Sequence, residues 1–111
     1  MKILVTGATG YIGGRLVSHL LEHGYDVRVL VRDKSRITGR DWFDHVEIFT
    51  GDLLESETLE GLCDDIDAAY YLVHSMTAGS GYTQRDKVAV KNFIHVAENV
   101  SHVIYLGGIL P

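Results

Sequence analysis

Three glycines at a spacing of three, Gly7, Gly10 and Gly13, constrain this chain more than any other feature. They follow Ile3-Leu4-Val5, an apolar run rich in β-branched residues that reads as a buried parallel strand. A helical pattern starts among them, in Tyr11-Ile12-Gly13-Gly14-Arg15-Leu16. Gly7 lets the chain turn sharply off the strand. Gly10 lacks the Cβ that would hold a pyrophosphate away from the backbone, and Gly13 lets the helix pack closely on the strands. The helix start then offers free N–H groups and the positive end of its dipole to phosphate groups. The ligand implied is a dinucleotide. A nucleoside-triphosphate P-loop is excluded, because no Gly-Lys-Ser/Thr follows the glycines.

The flanking pattern supports a strand–helix–strand unit. The first strand runs from about Lys2 to Thr6 and the helix from about Tyr11 to His23. Ile12, Leu16 and Leu20 fall on one helical face, with Val17 and Leu21 widening it, and Gly24 supplies a left-handed cap. A second strand, Asp26 to Val31, follows at once. Folds that prefer NAD place an acid at the end of this strand to accept hydrogen bonds from the adenosine ribose. Here Val31 holds that position and Arg32 comes next, a guanidinium suited to the 2′-phosphate of NADP. Lys34 and Arg36 add positive charge nearby. The alternative for these cations is a solvated basic loop, and Asp33 keeps NAD as the second choice.

Residues 35–44 read as an irregular excursion that packs Trp42 and Phe43 under the sheet. A third strand, Val46 to Thr50, leads into Gly51-Asp52-Leu53 at its carboxyl end. A helix is expected over Glu55 to Cys63, and an alternative reading of Asp52 makes it the N-cap of that helix. Between Asp52 and Asp67 stand seven acids and no base, read as a solvated helix face and turn. A fourth strand, Ala68 to Val73, precedes the small-residue loop His74 to Gly81, which is expected to be mobile. A long helix, Tyr82 to Asn99, should turn Val88, Phe93, Val96 and Ala97 inward, and a fifth strand covers His102 to Leu106.

Thr6-Gly7-Ala8-Thr9-Gly10-Tyr11-Ile12-Gly13 resembles the T-G-x-x-G-x-x-G fingerprint of extended and atypical short-chain dehydrogenases/reductases. Among them the chain is similar to NmrA-like and epimerase/dehydratase-like proteins. The likeness continues through Leu30-Val31-Arg32-Asp33, Gly51-Asp52-Leu53, Tyr71-Leu72-Val73-His74-Ser75 and Tyr105-Leu106-Gly107-Gly108. It implies one Rossmann-type NAD(P)-binding domain over residues 1–111. The expected sheet is a doubly wound parallel one with five strands in the order 3-2-1-4-5. It implies cofactor contacts at Gly7, Thr9, Gly10, Tyr11, Ile12 and Gly13, and at Arg32 and Arg36. By the same resemblance Asp52 reaches the adenine amino group, Leu53 lines the adenine pocket, and Val73, His74 and Ser75 stand beside the nicotinamide ribose. Gly107-Gly108 occupies the place where related reductases usually carry a substrate-binding serine.

The Tyr-x-x-x-Lys acid pair of that superfamily is absent, since none of the six tyrosines has a lysine four residues later. The resemblance therefore implies a C-terminally truncated, cofactor-holding half of an oxidoreductase or epimerase-like enzyme acting on a small molecule. This segment alone would be inactive. The alternative from a different class is a non-catalytic NADP-sensing regulator of the NmrA-like type.

Composition narrows the remaining classes. A net charge of −5 argues against nucleic acid as the main partner. No run approaches the ~20 apolar residues of a membrane span. Cys63 is the single cysteine and Lys2 leads straight into a strand rather than a signal peptide, so a reducing cytoplasm is expected. His19-Leu20-Leu21-Glu22-His23 matches a metallopeptidase pattern, but its helix is committed to the glycine turn and no third ligand is evident. His74-Ser75 cannot form a hydrolytic couple, because strand neighbours point apart. The fifth strand, apolar on both faces and last in the sheet, should leave an open edge and drive homo-oligomer formation.

Overall fold

The structure, a computed structural model, describes residues 1–72 and 84–105. Five strands form one parallel sheet: β1 (Lys2–Thr6), β2 (Asp26–Val31), β3 (Glu47–Thr50), β4 (Ala68–Tyr71) and β5 (His102–Tyr105). Their order is β3-β2-β1-β4-β5, the order that the resemblance implied. From central β1 the chain builds outward through β2 and β3, then crosses to the other side for β4 and β5. The carboxyl end of β1 is thus the switch point at which open α/β sheets bind ligands.

Strand alternation splits the core into two layers. Ile3, Val5, Val27, Val29, Val31 and Ala68 gather with Val17 and Leu20 of α1 (Tyr11–Glu22). Leu4, Leu30, Ala69 and Tyr71 gather with Phe93 of α2 (Gln84–Val96) on the opposite face. Trp42 is buried in the α1 layer with Phe43 packed beside it, as expected, and Ile37 of the same excursion is buried there too.

The inner face of α1 is the expected one except at its start. Val17 and Leu20 are buried and Leu16 and Leu21 pack against the same cluster, but Gly13 and Gly14 are buried in the first turn while Ile12 is 63% exposed. A Cβ on Gly13 would run into the Gly7 carbonyl, so the glycine edge is the one that can lie against the strand. Ile12, one step round the helix, is turned outward. The far end closes as expected. Gly24 (φ +85°) donates to the Leu21 carbonyl at 3.0 Å and Tyr25 to that of Leu20 at 3.1 Å.

The helix expected over Glu55 to Cys63 is not formed. A single 3-10 turn, Ser56–Leu59, replaces it. Two causes act together. Glu57, Glu60 and Asp64 would stack like charges three and four residues apart. Gly61 and Asp65 adopt left-handed backbone, φ +86° and +64°, which ends any helix. The segment still buries Leu59, Leu62 and Ile66 against the sheet. Buried Arg28 of β2 holds it there, donating from Nη1 to the carbonyls of Leu62 (2.6 Å) and Asp64 (3.0 Å). Its Nε donates to Glu47 Oε1 at 3.1 Å.

In α2, Phe93 and Ala97 are buried and Val96 is partly covered, as expected. Val88 is not inward: it is 36% exposed, and Val90 packs on the core instead. The expected strand ends Val73 and Leu106, the loop from His74 to Gly81, the helix start at Tyr82 and the pair Gly107-Gly108 lie outside the described residues.

Candidate functional site

The carboxyl ends of β1, β2, β3 and β4 reach one side of the sheet. Thr6 pairs with Leu30 and with Tyr71, and Val31 pairs with Thr50. The glycine turn leaves β1 at this edge. Gly7 is at φ +90°, and a Cβ there would come within 2.5 Å of the Leu72 carbonyl oxygen at the end of β4. Glycine is therefore required at residue 7 by conformation and by space. Gly10 differs. It is the N-cap of α1 at φ −85°, ψ 171°, extended backbone that any residue adopts. Backbone conformation alone does not demand a glycine there.

No side chain caps α1 and no acid stands in its first turn, so its N–H groups and positive dipole end are left for an anion. The Gly10 N–H donates to the Gly7 carbonyl (3.1 Å), and Gly14 N–H donates to the Gly10 carbonyl (2.9 Å), which fixes the turn. Thr9 is exposed, and so are Tyr11 at 74% and Ile12 at 63%. Arg15 Nη1 donates to the Tyr11 hydroxyl at 2.9 Å.

Arg32 and Arg36 are both exposed beyond the end of buried Val31. Between them, Asp33 caps a short 3-10 turn, its Oδ1 accepting from the Ser35 N–H at 3.0 Å. That backbone donor, with the Ser35 hydroxyl, holds the Asp33 carboxyl below its ordinary range. One carboxylate oxygen is thus engaged by the protein.

At the end of β3, buried Gly51 leaves no room for a Cβ, which would lie 2.8 Å from the Thr58 carbonyl oxygen. Asp52 does not cap a helix. Its Oδ1 accepts from the Leu54 N–H at 2.9 Å in a local Asx turn, because the helix it was expected to start is missing. Leu53 packs partly against the α2 layer, and Asn92 of α2 donates to its carbonyl at 2.6 Å. Val73, His74 and Ser75 are outside the described residues.

Sequence reasoning missed Arg40. Its Nη2 donates to the Thr9 carbonyl at 2.7 Å, bringing a guanidinium from the β2–β3 excursion onto the glycine turn. No motif signals it, since Arg40 is 31 residues away in sequence and reaches the turn only because Ile37 and Trp42 bury on either side of it. Two other candidates stay outside the site. The His19 and His23 rings lie 4.4 Å apart at the far end of α1, and no group of three metal-binding side chains occurs among the described residues. Burial pushes the Cys63 thiol up to about 11, far from a nucleophilic thiolate.

Residues 1–107 match the NmrA-like family. The chain belongs to that family. Among curated relatives it is 31% identical over 122 residues to the chloroplastic divinyl chlorophyllide a 8-vinyl-reductase of Cucumis sativus, covering 97% of this chain and 29% of that protein. It is 30% identical over 91 residues to Protein BRI1-5 ENHANCED 1 of Arabidopsis thaliana, covering 74% of this chain and 25% of that one. The chain therefore spans less than a third of the length of these relatives. Of solved structures, a nucleoside-diphosphate-sugar epimerase from Staphylococcus aureus superposes with a TM-score of 0.77 at 23% identity, covering 95% of this chain and 37% of the other. The NADPH-dependent quinone oxidoreductase QOR2 of Escherichia coli, complexed with NADPH, gives 0.76 at 17% identity over 93% and 35%. These structures share the Rossmann fold of this NmrA-like chain. No described helix is long and apolar enough to cross a membrane.

Proposed function

We propose that this chain binds NADP(H) as the cofactor-holding part of a reductase or epimerase-like member of the short-chain dehydrogenase/reductase class, working in a reducing cytoplasm. The observation that carries the reading is the uncapped start of α1 set against the Gly7 turn at the switch point of the sheet. Pyrophosphate is the group such a turn accepts, through backbone N–H donors and the helix dipole. Gly10 fits the same reading, because its backbone does not need glycine whereas a phosphate approaching that backbone does.

In this assignment Gly7, Thr9, Gly10, Tyr11, Ile12 and Gly13 form the pyrophosphate turn. Arg32 and Arg36 meet the 2′-phosphate, and Asp52 and Leu53 hold the adenine. Val73, His74 and Ser75, outside the described residues, are assigned to the nicotinamide ribose by the family resemblance alone. When bound, the nicotinamide supplies hydride transfer. This chain's residues bind and orient it. The reductases and the epimerase among the relatives support that chemistry.

Calorimetry tests the reading. NADPH should bind more tightly than NADH, and Arg32→Ala should remove most of that preference, on the order of 1–3 kcal/mol for a lost charge-assisted contact. Equal affinity for the two cofactors, or no change on Arg32→Ala, overturns the NADP assignment. A second reading, an NADP-sensing regulator of the NmrA-like type, is supported by the family match. It is distinguished by tight NADPH binding without turnover of any carbonyl substrate in the protein that contains this chain.

A further inference from the structure

Gly14 lies outside the T-G-x-x-G-x-x-G fingerprint, yet the structure uses its missing side chain. An ideal Cβ at Gly14 would stand 2.8 Å from Nη1 of Arg40 and 3.6 Å from its Cζ, so the guanidinium lies across the first turn of α1 where a side chain would otherwise be. The other terminal nitrogen of the same guanidinium donates to the Thr9 carbonyl at 2.7 Å. The next peptide N–H, that of Gly10, is held by the Gly7 carbonyl. The Thr9–Gly10 peptide is therefore gripped at both its oxygen and its hydrogen, immediately before the helix start.

The charge is as informative as the geometry. A cation over the positive end of a helix dipole is unfavourable by itself, and α1 has no acid in its first turn to balance it. The arrangement becomes favourable once an anion is bound between the two.

We infer that Arg40, seated by Gly14, is a positioning residue that holds the glycine turn in its phosphate-accepting shape and adds a positive charge shared by every dinucleotide bound there. The inference rests on the dinucleotide reading above. It assigns Arg40 to the pyrophosphate turn and not to the 2′-phosphate, so its effect must be the same for NADPH and NADH.

The test uses this chain with Arg40→Ala, Gly14→Ala and the double variant. Gly14→Ala is the sharper probe, since the atoms it displaces are the far end of a flexible side chain and alanine is the better helix former. Its melting temperature without ligand should match or exceed the wild type. Both single variants should weaken NADPH and NADH by the same factor, about tenfold for one charge-assisted contact. The double variant should be no weaker than Arg40→Ala alone, because both changes remove one contact. Inorganic pyrophosphate should raise the melting temperature of the wild type more than that of Gly14→Ala. Wild-type affinity in Gly14→Ala, additive losses in the double variant, or a loss confined to NADPH each overturn the assignment. If the wild type binds neither dinucleotide, the dinucleotide reading itself falls and this inference falls with it.

Discussion

Gly7 and Gly10 sit three residues apart in one motif, and the structure predicts opposite consequences for the same substitution. In Gly7→Val the side chain must enter left-handed backbone at φ +90°, which costs about 1–2 kcal/mol for a residue with a Cβ. That Cβ also lies 2.5 Å from the Leu72 oxygen and 2.9 Å from the Leu72 Cβ, at the junction of β1 and β4. Relief requires backbone movement, adding about 1–3 kcal/mol of overpacking, so the total is about 2–5 kcal/mol. Gly10→Val meets no strained backbone, and losing a favourable N-cap costs about 1 kcal/mol. The branched side chain then covers the N–H groups that the pyrophosphate needs. Two lost charge-assisted bonds amount to about 3–6 kcal/mol, two to four decades in affinity. Urea unfolding should therefore place the Gly7→Val midpoint below that of Gly10→Val, by about 1–3 M for slopes near 1.5 kcal/mol/M. Calorimetry should find no NADPH binding by Gly10→Val while its circular dichroism stays near wild type. Coincident midpoints for the two variants would refute the account of Gly7. Retained binding by Gly10→Val would refute the phosphate-turn assignment.

Other consequences follow from the same geometry. Arg28→Met leaves the Leu62 and Asp64 carbonyls without their buried donor and should cost about 3–5 kcal/mol, measured by denaturant unfolding; a loss below about 1 kcal/mol would remove Arg28 as the anchor of that segment. Lys2 first, then Arg28, hold the Glu47 carboxyl below its ordinary value through hydrogen bonds. With the folded value depressed, the pair stabilises the protein above the unfolded-state value and that contribution is lost as pH falls through the folded one. Glu47 is half exposed, so the effect is under about 1 kcal/mol, and Glu47→Gln should flatten the acid limb of melting temperature below about pH 4.5; superimposable limbs would contradict the pairing. Among the described residues β5 pairs only with β4, and Val103 and Tyr105 are 46% and 41% exposed, so this chain is expected to self-associate through that edge; light scattering showing a clean monomer at ~100 μM would refute it.

The sheet was legible because its signals are local and repeated. Ile3-Leu4-Val5, Val29 to Val31 and Ala68 to Tyr71 are continuous apolar runs, and strands buried on both faces need nothing more elaborate. The cap at Gly24 and the turn at Gly7 were legible for the same reason, since glycine marks positive φ directly. On the face of α1 only Ile12 was misjudged, because hydrophobicity normally points inward, whereas the first turn approaches the strand through Gly13, which has no side chain. The stretch from Glu55 to Cys63 was misread because its acids were taken for the solvated face of a helix, whereas the folded chain makes one short turn and reverses at Gly61.

What the sequence could not display is carried by two arginines that act at a distance. Arg28 occupies an inward position between Val27 and Val29, where alternation alone calls for an apolar residue. Burying a guanidinium there is tolerable only because an irregular segment offers carbonyls instead of a closed helix, so the missing helix and the buried charge explain each other. Arg40 follows the same logic on the other side of the sheet. The sequence already packed Trp42 of the excursion under the sheet, and the burial of Ile37 in the same α1 layer commits the residues between them to the sheet edge. The β2–β3 excursion is therefore part of the candidate site. A guanidinium at the glycine turn was absent from the motif because motifs record spacing along the chain, and this contact is made by packing across it.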